Sequence, residues 1–428
     1  MNSRYRFLNL IIAGLCLAIL AQTVLAAIYD NRPQRATIKP SLVRLEPGGE
    51  QKFKIVLEAT YLIAASNPEQ VKWSVNNIPG GNKELGTIDS DGVYKAPKKA
   101  PKPHEIHICA EVEDSVNRYL FATVLIGKPE ETYKLIHTWS EPNDNPKYLK
   151  SPHGIDFDKD GNLLIADQGN SRVMRFTTKG EYIDNIGLGR GSEPGEISTP
   201  RYATIDAEGN IWVTDSKGDR PRIQEFTHEG EFIMIFGEKG IQPGQLHRAH
   251  GMGFNKAQQL FVVDVDNFRV NVYDHSGKFL YDWGKIGVNP GQFNAPHGLY
   301  VDPSGDVFIT GYYGPTQKFD AKGNFLFAFA HGDPPDGSAY FHTVVGDKWG
   351  NVYLMVRNKE GYAGQIQTDT KGRKISIVKY NNNGDYITGW SLSDPEHQES
   401  WAVVDDDGLV YSLFKGKTDQ GVQTFEPQ

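Results

Sequence analysis

Cysteine is almost missing. The 428-residue chain has only Cys16 and Cys109, so no disulfide framework supports the fold and stability has to come from burial. An excess of basic charge is missing too: 45 Lys and Arg stand against 53 Asp and Glu, a formal charge of −8. That balance argues against nucleic acid as a partner. Long apolar runs are confined to the start, where Arg4 and Arg6 precede the stretch Phe7 to Leu20 and then Val24-Leu25-Ala26. This is the layout of a signal peptide over residues 1–26, with small residues at both key cleavage positions. An uncleaved anchor is the rival reading, since the apolar run nearly suffices to span a bilayer. The expectation is a periplasmic or secreted protein with no transmembrane span after cleavage. Loss of Arg4 and Arg6 takes the formal charge from −8 to −10. Cys109, in the alternating run His107-Ile108-Cys109-Ala110-Glu111-Val112, reads as a small buried residue rather than a reactive thiol.

Turn-formers and aromatics are abundant. Gly 45, Pro 24, Tyr 20 and Phe 21 favour many short strands joined by tight turns and almost no helix. The length suits two domains, placed at 28–128 and 133–428. In the first, Ala36 to Leu57 alternates around the turn Glu46-Pro47-Gly48-Gly49, and Val71-Lys72-Trp73-Ser74-Val75 carries a central Trp. The segment Gly86-Thr87-Ile88-Asp89-Ser90-Asp91-Gly92-Val93-Tyr94-Lys95-Ala96-Pro97, with Trp73 upstream, resembles a signature of bacterial Ig-like domains. A β-sandwich is expected there. His104 and His107, three apart on a strand, fall on opposite faces and read as exposed loop histidines.

From Tyr133 onward the chain repeats itself. The unit Ser151-Pro152-His153-Gly154-Ile155-Asp156-Phe157-Asp158-Lys159-Asp160-Gly161-Asn162-Leu163-Leu164-Ile165-Ala166-Asp167 contains strand, turn and strand. Equivalent turns at Gly209, Gln258, Gly305, Gly350 and Gly408 make six units. Six units with hairpin chemistry fit radial blades. Tyr133 to Trp139 looks like an outermost strand placed ahead of the first inner one, so it is expected to complete the last blade and pair the chain ends. Asp156-x-Asp158-x-Asp160-Gly161 begins like an EF-hand loop but is flanked by strands, so its acids are turn formers. Asp167, Asp215 and Asp264, with Arg172 and Arg269, recur as ties between strands or blades.

Eight residues before each turn stand His153, Arg201, His250, His297, His342 and Ser400. Equal offset means equal position on the innermost strand, beside the pseudo-symmetry axis. His153, His250 and His342 lie on alternate blades, about a third of a turn apart in a six-fold ring. Three neutral imidazoles converging there suit zinc or a similar divalent ion with an open position. His297 is then a fourth ligand, a supporting group or an acid/base residue. The bland alternative is a slot that accepts polar residues hydrogen-bonded to nearby loops.

These repeats resemble the NHL repeat family, which implies an all-β fold: an N-terminal Ig-like β-sandwich followed by a six-bladed NHL-type β-propeller. The histidines within Pro-His-Gly-like entries resemble the peptidyl-α-hydroxyglycine α-amidating lyase family, whose zinc is held by three such histidines, here matching His153, His250 and His342. The resemblance implies breakage of an N–C bond with help from a tyrosine and arginines. The helpers differ in this chain: Ser216-Lys217-Gly218 stands where the family's tyrosine is expected, Val265 where an arginine is, and Thr343 where an acid follows the last histidine. Tyr312, Tyr313 and Arg201 are the candidate ligand-binding substitutes; otherwise the tyrosines pack on a neighbouring blade and Arg201 pairs with an acidic loop residue. The two functional readings are a metal-dependent lyase or related enzyme acting on a small molecule or peptide end at the axis, and a non-catalytic envelope protein- or glycan-binding scaffold. Exposed loops at 330–337 and 359–364 would serve the second.

Overall fold

The computed structural model describes residues 35–59, 62–65, 71–112, 119–128, 132–142, 149–217, 220–330, 339–358, 375–391, 398–416 and 419–428. The expected signal peptide at 1–26, residues 331–337 and 359–364 of the expected exposed loops, and Gly218 lie outside them. Among the described residues no helix is long and apolar enough to cross a membrane.

Six four-stranded antiparallel sheets form the larger part. Blade one consists of Ile155–Phe157, Leu163–Asp167, Arg172–Phe176 and Tyr182–Ile186, each strand bonded to the next. The alternation of this segment sends Ile155, Leu163, Ile165 and Met174 into a shared core, each fully buried. The innermost strands Ile155–Phe157, Pro200–Ile205, Ala249–Phe254, Asn294–Val301, Ala339–Gly346 and Gln398–Val404 touch in cyclic order, the last against the first. Tyr133–Pro142 pairs antiparallel with Asp419–Pro427 as the outermost strand of the sixth sheet. Both chain segments thus share one sheet, the closure expected from the sequence, and the ring hides the edges an open array would leave.

Each hairpin between first and second strands closes on a carboxylate or amide. Asp158 Oδ1 accepts the amides of Asp160 and Asn162, and Asp302 does the same for Ser304 and Asp306. Of the EF-hand-like acids Asp158 is therefore a turn former, whereas Asp156 lies in the first strand and accepts from the Thr204 hydroxyl of blade two at 2.7 Å. The repeated Asp and Arg pairs tie second to third strands and hold the inter-blade loops. Arg222 meets Asp215 at 2.8 Å and also donates to the carbonyl of Glu196 at 2.7 Å.

The N-terminal module has three small sheets around one core of Ile38, Phe53, Val75, Tyr94, Ile108 and Val124, among others. It rests against turns and adjoining strand ends of blade five. Glu105 accepts two hydrogen bonds of 2.7 Å from Lys379, Asn381 donates to the carbonyl of Ser41 at 3.0 Å, and Arg44 donates to that of Ile387 at 3.2 Å. These turns lie at the end of the blades opposite the slot histidines, so the module leaves the histidine end clear. Here one expectation fails. His107 is not an exposed loop residue: it sits in the strand Glu105–Val112, is buried, and stacks on Trp349 with ring centroids 4.6 Å apart. Burial holds its imidazole down to about 3. The spacing argument missed this because it weighed the two faces of an isolated strand, and docking buries the second face as well. His104 is half-buried beside it, its Nδ1 2.6 Å from the carbonyl oxygen of Ile126. Cys109 is buried, and burial pushes its thiol up to about 11.

Candidate axial histidine site

The slot residues are set apart from the ladder by their backbone. The pairing of first and second strands shifts register between Pro200 and Tyr202, Ala249 and Met252, Pro296 and Gly298, Phe341 and Thr343, and Glu399 and Trp401. The skipped residues include Arg201, His250, His297, His342 and Ser400. A bulge bends a strand and re-aims the side chain it carries, so Arg201, His250, His297 and His342 are turned out of the ladder in the same way. In blade one His153 keeps a ladder bond, its amide donating to Ala166 at 2.9 Å.

Glycine follows three of the histidines because neighbouring inner strands pass close. A Cβ on Gly154 would lie 2.5 Å from the Tyr202 ring, and one on Gly298 would lie 2.6 Å from Thr310 Oγ1 and 2.8 Å from Thr343 Cα. Large rings occupy the same position in other blades. Trp401, 1% exposed, packs against His153, His297 and His342 at centroid distances of 5.4, 5.9 and 6.0 Å, and Tyr202 packs on Trp401 at 5.1 Å. The small residues and the two large rings together make a filled floor beneath the histidines.

All four histidines meet. Ring centroids are 4.0 Å apart for His250 and His297, 4.2 Å for His297 and His342, and 5.0 Å for His153 and His250. His153, His297 and His342 each offer a ring nitrogen, and the three atoms lie within 4.8 Å of one another. The compact set thus includes His297, and His250 packs directly on it. His250, His297 and His342 are each 2% exposed, whereas His153 is half-buried.

The tautomers suit a cation. Nδ1 of His153 is 3.1 Å from the carbonyl oxygen of Arg201; a carbonyl only accepts, so Nδ1 carries the proton and Nε2 keeps its lone pair. Nδ1 of His250 is buried with no hydrogen-bond partner. Burial holds His250 well below the ordinary imidazole value, and the charges of His153, Arg201 and Arg248 add to that. It is a neutral donor at pH 7.

Of the other candidates, Tyr312 sits at the site, its ring 5.0 Å from His297 and 5.7 Å from His342. Tyr313 is 54% exposed. Arg201 donates to Gln168 at 3.2 Å, and among the described residues it has no acidic partner and its buried Nε no hydrogen-bond partner. Burial and the charge of Arg248 lower its ordinary value, opposed by Tyr312. Val265 is buried in a 3-10 turn, and Thr343 is buried against Gly298. Trp401 and Arg248 went unnoticed in the sequence. Each lies within two residues of a slot position, and that nearness was the available signal.

The chain resembles known proteins in its repeat. Residues 149–176 match the NHL repeat family. This is a β-propeller with an NHL repeat in its first blade. Among curated proteins, peptidyl-glycine alpha-amidating monooxygenase B of Xenopus laevis is 31% identical over 176 residues, covering 37% of this chain and 19% of that protein. The mouse peptidyl-glycine alpha-amidating monooxygenase is 28% identical over 128 residues, covering 28% of this chain and 13% of its own length. The chain therefore spans less than a fifth of the length of these relatives. Among solved structures, virginiamycin B lyase from Staphylococcus aureus aligns with TM-score 0.46 and 14% identity over 84% of this chain and all of that one. A gluconolactonase from Xanthomonas campestris aligns with TM-score 0.49 and 10% identity over 70% of this chain and 95% of that one.

Proposed function

We propose that this is an exported six-bladed propeller, with an Ig-like module docked on it, that acts as a metal-dependent lyase or related enzyme on a small molecule or peptide end. The observation that carries the reading is the convergence of ring nitrogens from His153, His297 and His342 within 4.8 Å. His250, neutral and packed on His297, completes the nitrogen-rich set. Neutral imidazoles with one nitrogen fixed by a carbonyl are the donor set that zinc favours.

A divalent ion held there supplies Lewis acidity toward a substrate oxygen. The chain's own groups supply the rest. The Arg201 guanidinium, with its Nε unpartnered, binds an anionic or carbonyl oxygen of the substrate. The Tyr312 hydroxyl, whose ring packs on His297 and His342, holds or releases a proton in this reading. Trp401 fills the space behind the histidines and keeps water from that side. An N–C bond cleavage of the α-hydroxyglycine amidating type is the reaction this arrangement suits, supported by the 31% identity to an amidating monooxygenase.

The second reading, a non-catalytic scaffold for an envelope protein or glycan, rests on the aliphatic side chains of three successive inter-blade loops. Leu188, Ile241, Ile286 and Val288 are 74%, 73%, 65% and 81% exposed. Untagged, chelator-free protein, assayed for bound metal and for turnover of peptides ending in α-hydroxyglycine, separates the two. Stoichiometric metal with turnover lost in His297→Ala supports the enzyme; no metal and no turnover, with a partner recovered from envelope extract, supports the scaffold.

A further inference from the structure

Blades one, four and five share a device at the end away from the histidines. The turn aspartate meets a cation carried by the third strand: Asp158 with Arg175 at 3.1 Å, Asp302 with Lys318 at 3.1 Å, and Asp347 with Lys379 at 3.9 Å. These cations occupy one register position, opposite Leu164, Phe308 and Tyr353 on the second strand. In blade three the pair is the neutral Asn255 and Val272. Blade two inverts the charge. The residue opposite Trp212 is Glu225, and the turn residue is Asp206.

Both carboxylates are 4% exposed. Asn210 donates to Glu225 Oε1 at 3.0 Å, and among the described residues no other donor reaches this carboxylate. Two more groups close on the same place. His275, from a turn of blade three, puts Nε2 2.9 Å from Asp206 Oδ2 and 4.0 Å from Glu208 Oε2. One ligand atom from each of Asp206, Glu208 and His275 lies within 4.8 Å of the others. No lysine or arginine pairs with Asp206 or Glu225 among the described residues. Asp206 also accepts from the amides of Glu208 and Asn210 and from Trp212 Nε1, but burying two like charges without a lysine or arginine is costly, and one imidazolium offsets only one of the two buried carboxylates. Burial opposes protonation of His275, yet the carboxylates of Asp206, Glu225 and Glu208 raise it above its ordinary value, a measure of how negative the place is.

We propose that blade two carries a second divalent-cation site, built from Asp206, Glu208, Glu225 and His275, where the ion takes the place of the buried arginine or lysine of blades one, four and five. Oxygen donors with one imidazole suit zinc or manganese. Bonds of about 2.0–2.2 Å at a tetrahedral centre put donors about 3.4 Å apart, between the two separations His275 now makes. Glu208, with 73% side-chain exposure, stands on the solvent side and gives the ion an entry path. The ion clamps blade two to blade three on the face opposite the axial histidines.

The test is calorimetric titration of zinc into chelator-stripped full-length protein, with circular dichroism to certify the fold. Glu225→Lys supplies the cation that blades four and five already use, so this variant folds and binds one zinc fewer per chain, whatever the axial histidines hold. His275→Ala weakens the same site by more than about 100-fold, since even partners outside the ligand set are worth about 10- to 100-fold. In the axial variant His153→Ala/His297→Ala, one zinc per chain remains. Folded Glu225→Lys and His275→Ala proteins that bind as many zinc ions as the parent, with unchanged affinity, overturn the proposal. A folded axial variant that binds none overturns it equally.

Discussion

Replacing Glu105 with glutamine tests whether the N-terminal module is held on the propeller by chemistry rather than tethered beside it. Lys379, with 4% side-chain exposure, has two 2.7 Å hydrogen bonds to Glu105 and a more distant carboxylate, Asp347, at 3.9 Å. Breaking a buried pair from one side costs about 3–5 kcal/mol, because the remaining charge is stranded. Asp347 and the Tyr133 hydroxyl, 3.4 Å from Nζ, compensate partly, so the lower figure, about 3 kcal/mol, applies to Glu105→Gln. Hydrogen exchange of the strand Glu105–Val112 reads the opening free energy of the docked edge. It falls by about 3 kcal/mol in Glu105→Gln and recovers most of that loss in Glu105→Gln/Lys379→Met, where no charge is stranded. A single variant within about 0.5 kcal/mol of the parent, the range of neutral surface changes, refutes the reasoning, as does a double variant that costs the sum of both singles.

Other outcomes follow from the axial strands. Gly298→Ala forces a Cβ to within 2.6 Å of Thr310 Oγ1 and 2.8 Å of Thr343 Cα; a loss of about 1–3 kcal/mol in denaturant unfolding is expected, and a neutral result denies the close approach. Trp401→Ala removes the floor beneath the histidines, with a loss of about 3–5 kcal/mol and weaker metal binding by the folded variant in calorimetry. Asp156 is raised to about 6 by burial, against hydrogen bonds from Thr204, the amide of Phe157 and Tyr202. Its protonated form is the one the fold prefers, so its contribution is fully present below pH 4 and is lost as pH rises through 6. The stability difference between the parent and Asp156→Asn therefore shifts against the parent by about 2 kcal/mol from pH 4 to pH 7. A pH-independent difference contradicts the assignment.

Much of the architecture was legible because propeller repeats write their register in turn residues. The constant offset from Gly161, Gly305 and Gly350 to His153, His297 and His342 found the slot, and the strand from Tyr133 announced the closure. What was not legible arises from contacts between distant segments. The bulge that re-aims Arg201, His250, His297 and His342 leaves no mark in polarity alternation. Pseudo-symmetry suggested His153, His250 and His342 as the metal set, while the side chains as folded bring His297 into the compact group, since ring packing at the axis departs from six-fold spacing. His107 read as exposed because nothing local reveals that Trp349, 242 residues later in the sequence, would lie over it. Tyr312 was legible as a candidate from its place near the end of the second strand of blade four, Val307–Tyr313, and its packing on two histidines depends on blade five standing beside blade four.

The axial site is tested most directly by diffraction from crystals of untagged protein grown without chelator, recorded on both sides of the zinc absorption edge. An anomalous peak about 2.0–2.1 Å from ring nitrogens of His153, His297 and His342, lost in crystals of His297→Ala, is the result predicted here. Well-ordered histidines with no anomalous peak among them, in crystals grown with added zinc, contradict it.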